Sequence, residues 1–250
     1  MILEVRDIRK YFEVERGIFS QEKAIIKALD GVSFTVNEYD TLGVVGESGC
    51  GKTTLAKIIL KLISPTSGQL QFNCGLITNF RKDVQVIFQN PYNSLDPKMR
   101  IFDIIAEPLI IHGIVPKDKL RPRVLDLLRT AGIEENALER HPIEFSGGQR
   151  QRICLARALA VEPKFLILDE PISSLDLTVQ AEMLDLFLKL KKQLRLTYIF
   201  ISHNLAVVRY IASRIIVMKE GRIVEEGPAG QIFSQPRSEY TKTLLDAARN

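Results

Sequence analysis

At 250 residues, 46% of them hydrophobic, the chain can bury one sizeable core with a smaller subdomain attached, which excludes a disordered or fibrous protein. Its 34 Lys and Arg barely outnumber its 30 Asp and Glu, and the net charge of +4 is scattered along the chain instead of gathered in a basic tail, which argues against a nucleic-acid partner. The three cysteines, Cys50, Cys74 and Cys154, lie far apart with no CxxC pair, so a disulfide framework or a zinc or iron–sulfur site is not expected and the thiols are read as reduced.

Met1 leads directly onto an alternating stretch instead of a signal peptide, and no window approaches the roughly eighteen apolar residues of a membrane span, so the chain reads as cytosolic. Leu3 to Ile8 and Val32 to Val36 alternate with period two and predict antiparallel strands, the second after an Asp30-Gly31 turn signal. Between them, Glu13 to Lys27 mixes Gly, Ser and charge and predicts a surface loop. Leu42 to Val45 is a short apolar run into glycines, followed by helical periodicity from Lys52 to Ile63. Three further apolar runs, Val84 to Phe88, Phe165 to Leu168 and Tyr198 to Ile201, predict buried parallel strands. Arg100 to about Leu138 carries apolar residues at helical spacing and is expected to be interrupted by Pro108, Pro116 and Pro122, forming a helical subdomain. The pattern is α/β.

Gly46-Glu47-Ser48-Gly49-Cys50-Gly51-Lys52-Thr53 fits GxxxxGK[ST] between an apolar strand and a helix, the context that gives this pattern meaning. Its glycines let backbone N–H groups curl around phosphate oxygens at a helix N-terminus, Lys52 suits the β and γ phosphates, and the Thr53 hydroxyl suits Mg²⁺, with Thr54 beside it. Phe165 to Glu170 sets two acids at the carboxyl end of a strand, where α/β folds place ligands. Asp169 is a candidate to hold Mg²⁺ through water and Glu170 a candidate general base; a strand ending in two solvated acids is the alternative when the motif is taken alone. Ser146-Gly147-Gly148-Gln149 then opens a second helix with a second anion-binding cup, one more than a single γ phosphate needs.

A phosphate loop, then SGGQ, then an apolar strand ending in Asp-Glu, then Ser173-Ser174-Leu175-Asp176, then a His after a further strand: this order resembles the ATP-binding cassette (ABC) family over essentially the whole chain. The resemblance implies an ABC nucleotide-binding domain, with a P-loop NTPase core and antiparallel β subdomain at about 1–89 and 160–250 and an inserted α-helical signature subdomain at about 90–159. It implies two cassettes facing head to tail, with Ser146 to Gln149 serving the partner's ATP. By the same resemblance Gln89 senses Mg²⁺ and the water, His203 contacts the γ phosphate and the general base, and Asp176 communicates across the dimer. An aromatic at Phe12, or alternatively Tyr11, stacks on adenine, unless it is a core aromatic of a first strand. His112 and His141 match no motif.

Gln89 to Ile101 closely resembles the corresponding segment of oligopeptide, dipeptide and nickel importers, especially their second ATPase subunit, as do Gly31 to Lys52 and Tyr240-Thr241-Lys242. In that subfamily the segment borders the groove that receives a helix from the membrane subunit. The implied function is ATP hydrolysis energising import of peptides or of nickel and other metal chelates. The chain would sit peripherally on the cytoplasmic face of the membrane, with two permease subunits, an extracytoplasmic binding protein and a second ATPase subunit, either a copy of itself or, as the subfamily resemblance favours, a different chain. The departures keep the chemistry: Phe145 stands where Leu is usual and Thr53 where Ser is commoner. Many peptide-importer ATPases carry a longer cysteine-bearing tail; a chain stopping at Asn250 resembles the shorter members, including importers of nickel and metal chelates.

A soluble ABC ATPase acting on DNA or the ribosome would carry a long coiled-coil insertion or two cassettes in one chain, and neither is present. An exporter subunit is a nearer rival, against which Asn90 to Ile101 speaks; a phosphate-loop kinase or GTPase has no need of SGGQ. Cys50 is either a redox brake, its thiol activated by the helix N-terminus, or a small residue tolerated at a variable position.

Overall fold

The computed structural model describes residues 1–15, 23–89 and 94–247. The chain divides into two units, Met1–Ile77 with Thr197–Asn250, and Thr78–Leu196. In the first unit β1 (Leu3–Glu15) pairs antiparallel with β2 (Lys23–Val36). Alternation buries Leu3 and Val5, and a register shift at Asp7, which takes the left-handed φ of 47°, brings Ile8 into the core in its place. The loop expected over Glu13 to Lys27 is therefore shorter: both strands extend into it, and only 16–22 lie outside the described residues. Period-two pairing of Tyr11 with Lys27 and of Phe12 with Ile26 continues the hairpin where composition suggested a break.

β3 (Thr41–Val45) is buried at all five positions. It leads through the glycine loop into α1 (Lys52–Ile59), which stops short of the expected Ile63 because Lys61 turns left-handed at φ 56°. β4 (Ser67–Phe72) then pairs with the other side of β1, giving the sheet order β2-β1-β4.

The second unit begins with α2 (Phe80–Asp83) and β5 (Val84–Ile87). α3 (Ile101–Ile111) runs through Pro108, contrary to the expected interruption. Burial of Ile101, Ile104, Ile105 and Leu109 along one side of the helix offsets the backbone hydrogen bond that the proline cannot make. Pro122 lies in the first turn of α4 (Leu120–Thr130), where a backbone N–H has no intrahelical acceptor; only Pro116 separates helices. α5 (Gly147–Leu159), β6 (Phe165–Asp169) and α6 (Leu177–Leu194) complete the unit, with β6 parallel to β5.

The chain then returns to the first unit. β7 (Thr197–Ile201) and β8 (Arg214–Lys219) flank β3 in parallel, with α7 (Leu205–Ile211) between them in sequence. β9 (Arg222–Pro228) adds antiparallel to β8, and α8 (Ala229–Ser234) and α9 (Glu239–Ala247) follow. Short βα crossovers onto parallel strands are what continuous apolar runs such as Tyr198 to Ile201 dictate.

Glycine at position 43 is required by the approach of α7, since a Cβ there would lie 2.4 Å from Val208 Cγ1 and 3.0 Å from the Ala212 Cβ. Gly43→Ala should destabilise the protein by about 1–3 kcal/mol through overpacking, read as a lower urea midpoint by circular dichroism; an unchanged midpoint would show that α7 yields without cost.

Candidate functional site

The loop after β3 folds as it does because its glycines sit where side chains cannot. Gly51 has φ 108°, and a Cβ on it would fall 2.3 Å from the Ala28 carbonyl oxygen; one on Gly46 would fall 2.2 Å from that of Met218. At Gly49, φ 84°, a Cβ would meet nothing within 4 Å, so this residue faces the open side of the loop. The outer side is tied down by backbone bonds, with the Gly221 N–H donating to Cys50 O (3.0 Å) and the Asp30 N–H to Gly221 O (2.8 Å).

Lys52 is 7% exposed, and its ammonium donates to the carbonyls of Gly46 (2.7 Å) and Glu47 (2.8 Å). A buried ammonium requires such acceptors. Thr53 and Thr54 follow in the first turn of α1, Thr53 exposed. Cys50 is 6% exposed, and burial pushes its thiol pKa up, partly opposed by Lys52. Activation by the helix N-terminus, the basis of the redox alternative, is thus outweighed by desolvation.

Val44 lies opposite Ile201 in the parallel pair β3–β7, so Gly46 and His203, each two residues further on, leave the same carboxyl edge of adjacent strands. His203 is exposed, just before Asn204, whose side chain accepts from the Ala206 N–H at 3.0 Å and caps α7. The two candidate aromatics separate clearly. Tyr11 Oη donates to Asp30 Oδ1 at 2.6 Å, whereas the Phe12 ring is 39% exposed with Lys10 Nζ 5.0 Å from its centroid. Of the two, Phe12 is the ring available for stacking.

In the other unit the same edge geometry recurs. Ile87 lies opposite Leu168, so Gln89 and Glu170 leave the carboxyl edge of β5 and β6 together. Asp169 is 3% and Glu170 8% exposed, and Glu170 adopts the left-handed φ of 52°, an uncommon conformation for a residue with a side chain. Its carbonyl accepts from the Ser173 hydroxyl (3.1 Å) and N–H (3.3 Å), and Gln89 Nε2 donates to that hydroxyl at 3.4 Å. Asp176 caps α6, its Oδ1 accepting from the Val179 N–H at 3.0 Å.

At the N-terminus of α5, Ser146 and Gln149 cap one another: Ser146 Oγ accepts from the Gln149 N–H (3.3 Å) and Gln149 Oε1 from the Ser146 N–H (3.0 Å). A Cβ on Gly148 would fall 2.5 Å from Val179 Cγ1, so α5 and α6 approach through that glycine, bringing Ser146 to Gln149 and Asp176 to adjoining helix starts. Arg150 is buried and donates to Pro142 O (2.6 Å) and Ile143 O (3.1 Å), which fixes the turn before the helix.

Residues 29–173 match the family described as ABC transporter. The chain belongs to the ABC transporter family. Its cassette is an ATPase coupled to transport. Over 98% of its length it is 45% identical to the di/tripeptide transport ATP-binding protein DppF of Pseudomonas aeruginosa (strain UCBPP-PA14), covering 78% of that protein. It is 44% identical to the oligopeptide transport ATP-binding protein OppF of Bacillus subtilis (strain 168), again over 98% of this chain and covering 82% of that one. Among solved structures, cbiO1 of Clostridium perfringens, part of the ABC transporter complex cbiONQ, superposes with TM-score 0.77 at 27% identity, over 94% of this chain and 91% of that one. The ATP-binding cassette MJ0796, in a dimeric post-hydrolysis state bound to ADP and Pi, gives TM-score 0.77 at 28% identity, over 91% of this chain and 99% of that one.

Three contacts of this cassette were not legible in its motifs. Ser173 links Gln89 to the Glu170 turn, Tyr240 Oη accepts from the Glu47 N–H across 193 positions of sequence, and Arg222 pairs with Asp30. The last has a measurable consequence. The Tyr11 hydroxyl and then Arg222, at 2.5 Å, hold the Asp30 carboxyl at about 2, below the ordinary aspartate value near 4. The stabilisation from its ionised form is complete above about pH 4 and is lost as pH falls through about 2. Asp30→Asn should therefore lower the thermal midpoint at neutral pH and flatten its fall between pH 4 and 2; parallel curves for the two proteins would contradict the assignment.

Proposed function

We propose that this chain is the ATPase subunit of an importer of short peptides, acting peripherally at the cytoplasmic face of the membrane. The observation that carries the reading is identity of 45% and 44%, over 98% of the chain, to proteins named for di/tripeptide and oligopeptide transport. The partners would be a second ATPase subunit of different sequence, two permease subunits and an extracytoplasmic binding protein. Among the described residues no helix is long and apolar enough to cross a membrane, which accords with separate permease chains. On α3, Ile110 and Ile111 are 59% and 70% exposed, and Ile111 lines a cavity with Gln85, Val86, Pro108 and Arg157, a suitable seat for a permease helix. Ile143 and Leu177, 75% and 81% exposed before α5 and at the start of α6, suit burial against a facing cassette.

In this proposal, residues about 90–159 form the signature subdomain, and ATP lies on the loop from Gly46 to Thr54 with Phe12 against adenine. The Lys52 ammonium exchanges its two carbonyl acceptors for β and γ phosphate oxygens. Thr53, Asp169 and Gln89 offer a hydroxyl, a carboxylate and an amide oxygen, hard donors that fit Mg²⁺, which when bound neutralises phosphate charge. Glu170 accepts a proton from the attacking water and His203 orders the γ phosphate. Ser146 to Gln149 present α5's N-terminal amides to the nucleotide of the facing cassette, and Asp176, beside them, reports on that contact.

Glu170→Gln should keep ATP affinity and lose hydrolysis by about 10²–10⁴-fold, the contribution of a positioned general base. In the source cells that variant should abolish uptake of labelled dipeptide and leave labelled nickel uptake unchanged. Loss of nickel uptake alone would move the cargo to metal or metal chelates; parental uptake of both would remove the importer reading.

A further inference from the structure

We infer that Tyr240, on the C-terminal helix, is a positioning residue for the phosphate loop: its hydroxyl holds the Glu47 peptide while Lys52 transfers from that peptide to ATP. The inference rests on the reading that ATP binds at this loop.

Glu47 is held from both ends. Its carbonyl accepts from Lys52 Nζ at 2.8 Å, and its N–H donates to Tyr240 Oη at 3.3 Å. When the ammonium turns to a phosphate, the carbonyl gives up its charged donor and the Tyr240 bond remains. Within the loop the Cys50 N–H also donates to the Glu47 carbonyl at 3.3 Å, but Gly49, next but one, has open space around it, so the Glu47 N–H side is anchored to the rest of the fold through Tyr240.

The tyrosine is itself well placed to act as a fixed support. Lys219 Nζ lies 4.9 Å from its ring centroid, a cation–π contact from the end of β8. Immediately before α9, the Arg237 and Ser238 N–H groups donate to the two Glu225 carboxylate oxygens at 2.8 and 3.0 Å, which fastens the helix to β9. On that helix Thr241 and Leu245 are buried at 1% and 6% exposure. Strands β8 and β9 and helix α9 thus form one rigid backing, and Tyr240 is its point of contact with the Glu47 peptide. Burial raises the Tyr240 pKa, which keeps the hydroxyl protonated and neutral at physiological pH.

Tyr240→Phe removes the hydroxyl and keeps the ring over Lys219. For the full chain, the ATP dissociation constant by calorimetry, and in the assembled transporter the KM for ATP, should rise roughly threefold to tenfold, the range that one neutral hydrogen bond supports. The turnover number should stay within about twofold, and the thermal midpoint without nucleotide should fall by no more than the few degrees that one lost hydrogen bond accounts for. Tyr210→Phe, at a ring 57% exposed on α7, serves as the control that changes nothing. Parental ATP affinity in Tyr240→Phe, or the same affinity loss in a variant that keeps Tyr240 and has an equally lowered thermal midpoint, would overturn the inference. Lys52→Ala in the same series separates the two levels. If it also binds ATP like the parent, the loop is not the nucleotide site; if it loses ATP while Tyr240→Phe does not, only the role of Tyr240 falls.

Discussion

A lysine ammonium that is almost fully buried must be surrounded by acceptors, and the cassette is arranged around that requirement. Lys52 meets it with two carbonyls of its own loop. Those carbonyls point inward only because Gly46 and Gly51 occupy conformations and close contacts that a side chain would block. The strands that crowd the glycines, β2 through Ala28 and β8 through Met218, thereby hold the loop that we propose binds phosphate, as does the Gly221 turn that bonds to Cys50. A phosphate oxygen is a stronger acceptor for an ammonium than a peptide carbonyl. The loop is therefore poised for exchange of one set of acceptors for another.

Strand register supplies the second organising rule. In both units a pair of parallel strands releases two chemistry-bearing residues from the same edge, two positions beyond a matched pair: Gly46 with His203, and Gln89 with Glu170. No side-chain bond is needed to bring them to one edge, because pairing of apolar residues buried in the core fixes it. The left-handed turn at Glu170 and the cap at Asp176 then aim the segment between β6 and α6. Sites on strand ends inherit the rigidity of the sheet, whereas the loop positions Glu47 and Ser173 are held by a few neutral or charge-assisted hydrogen bonds.

Much of this was legible in the sequence because glycine, lysine and paired acids are chosen for local reasons. The glycine loop before α1, the start of α5 at Ser146 to Gln149, and the buried strands at 84–87, 165–169 and 197–201 follow from spacing and apolar run length. The hairpin of β1 and β2 was under-read, since charged and small residues masked the pairing of Tyr11 and Phe12 with Lys27 and Ile26. Pro108 and Pro122 misled in the opposite direction: burial on one side of α3 and a first-turn position in α4 make both tolerable. The sequence favoured Phe12 over Tyr11 as the stacking aromatic; the hydrogen bond of the Tyr11 hydroxyl to Asp30, nineteen positions away, could not be read from it. The importer-like segment from Asn90 to Asn93 lies outside the described residues, so its resemblance stands on sequence.

The central claim is that this cassette converts ATP hydrolysis into peptide import through partner subunits. It is tested most directly by reconstituting the chain with its permease and ATPase partners in lipid vesicles and measuring phosphate release as peptide-loaded binding protein is added on the opposite side. The account predicts hydrolysis that rises with loaded binding protein and stays at its basal rate with empty binding protein. Hydrolysis indifferent to the peptide, in vesicles whose cassette is otherwise active, would contradict it.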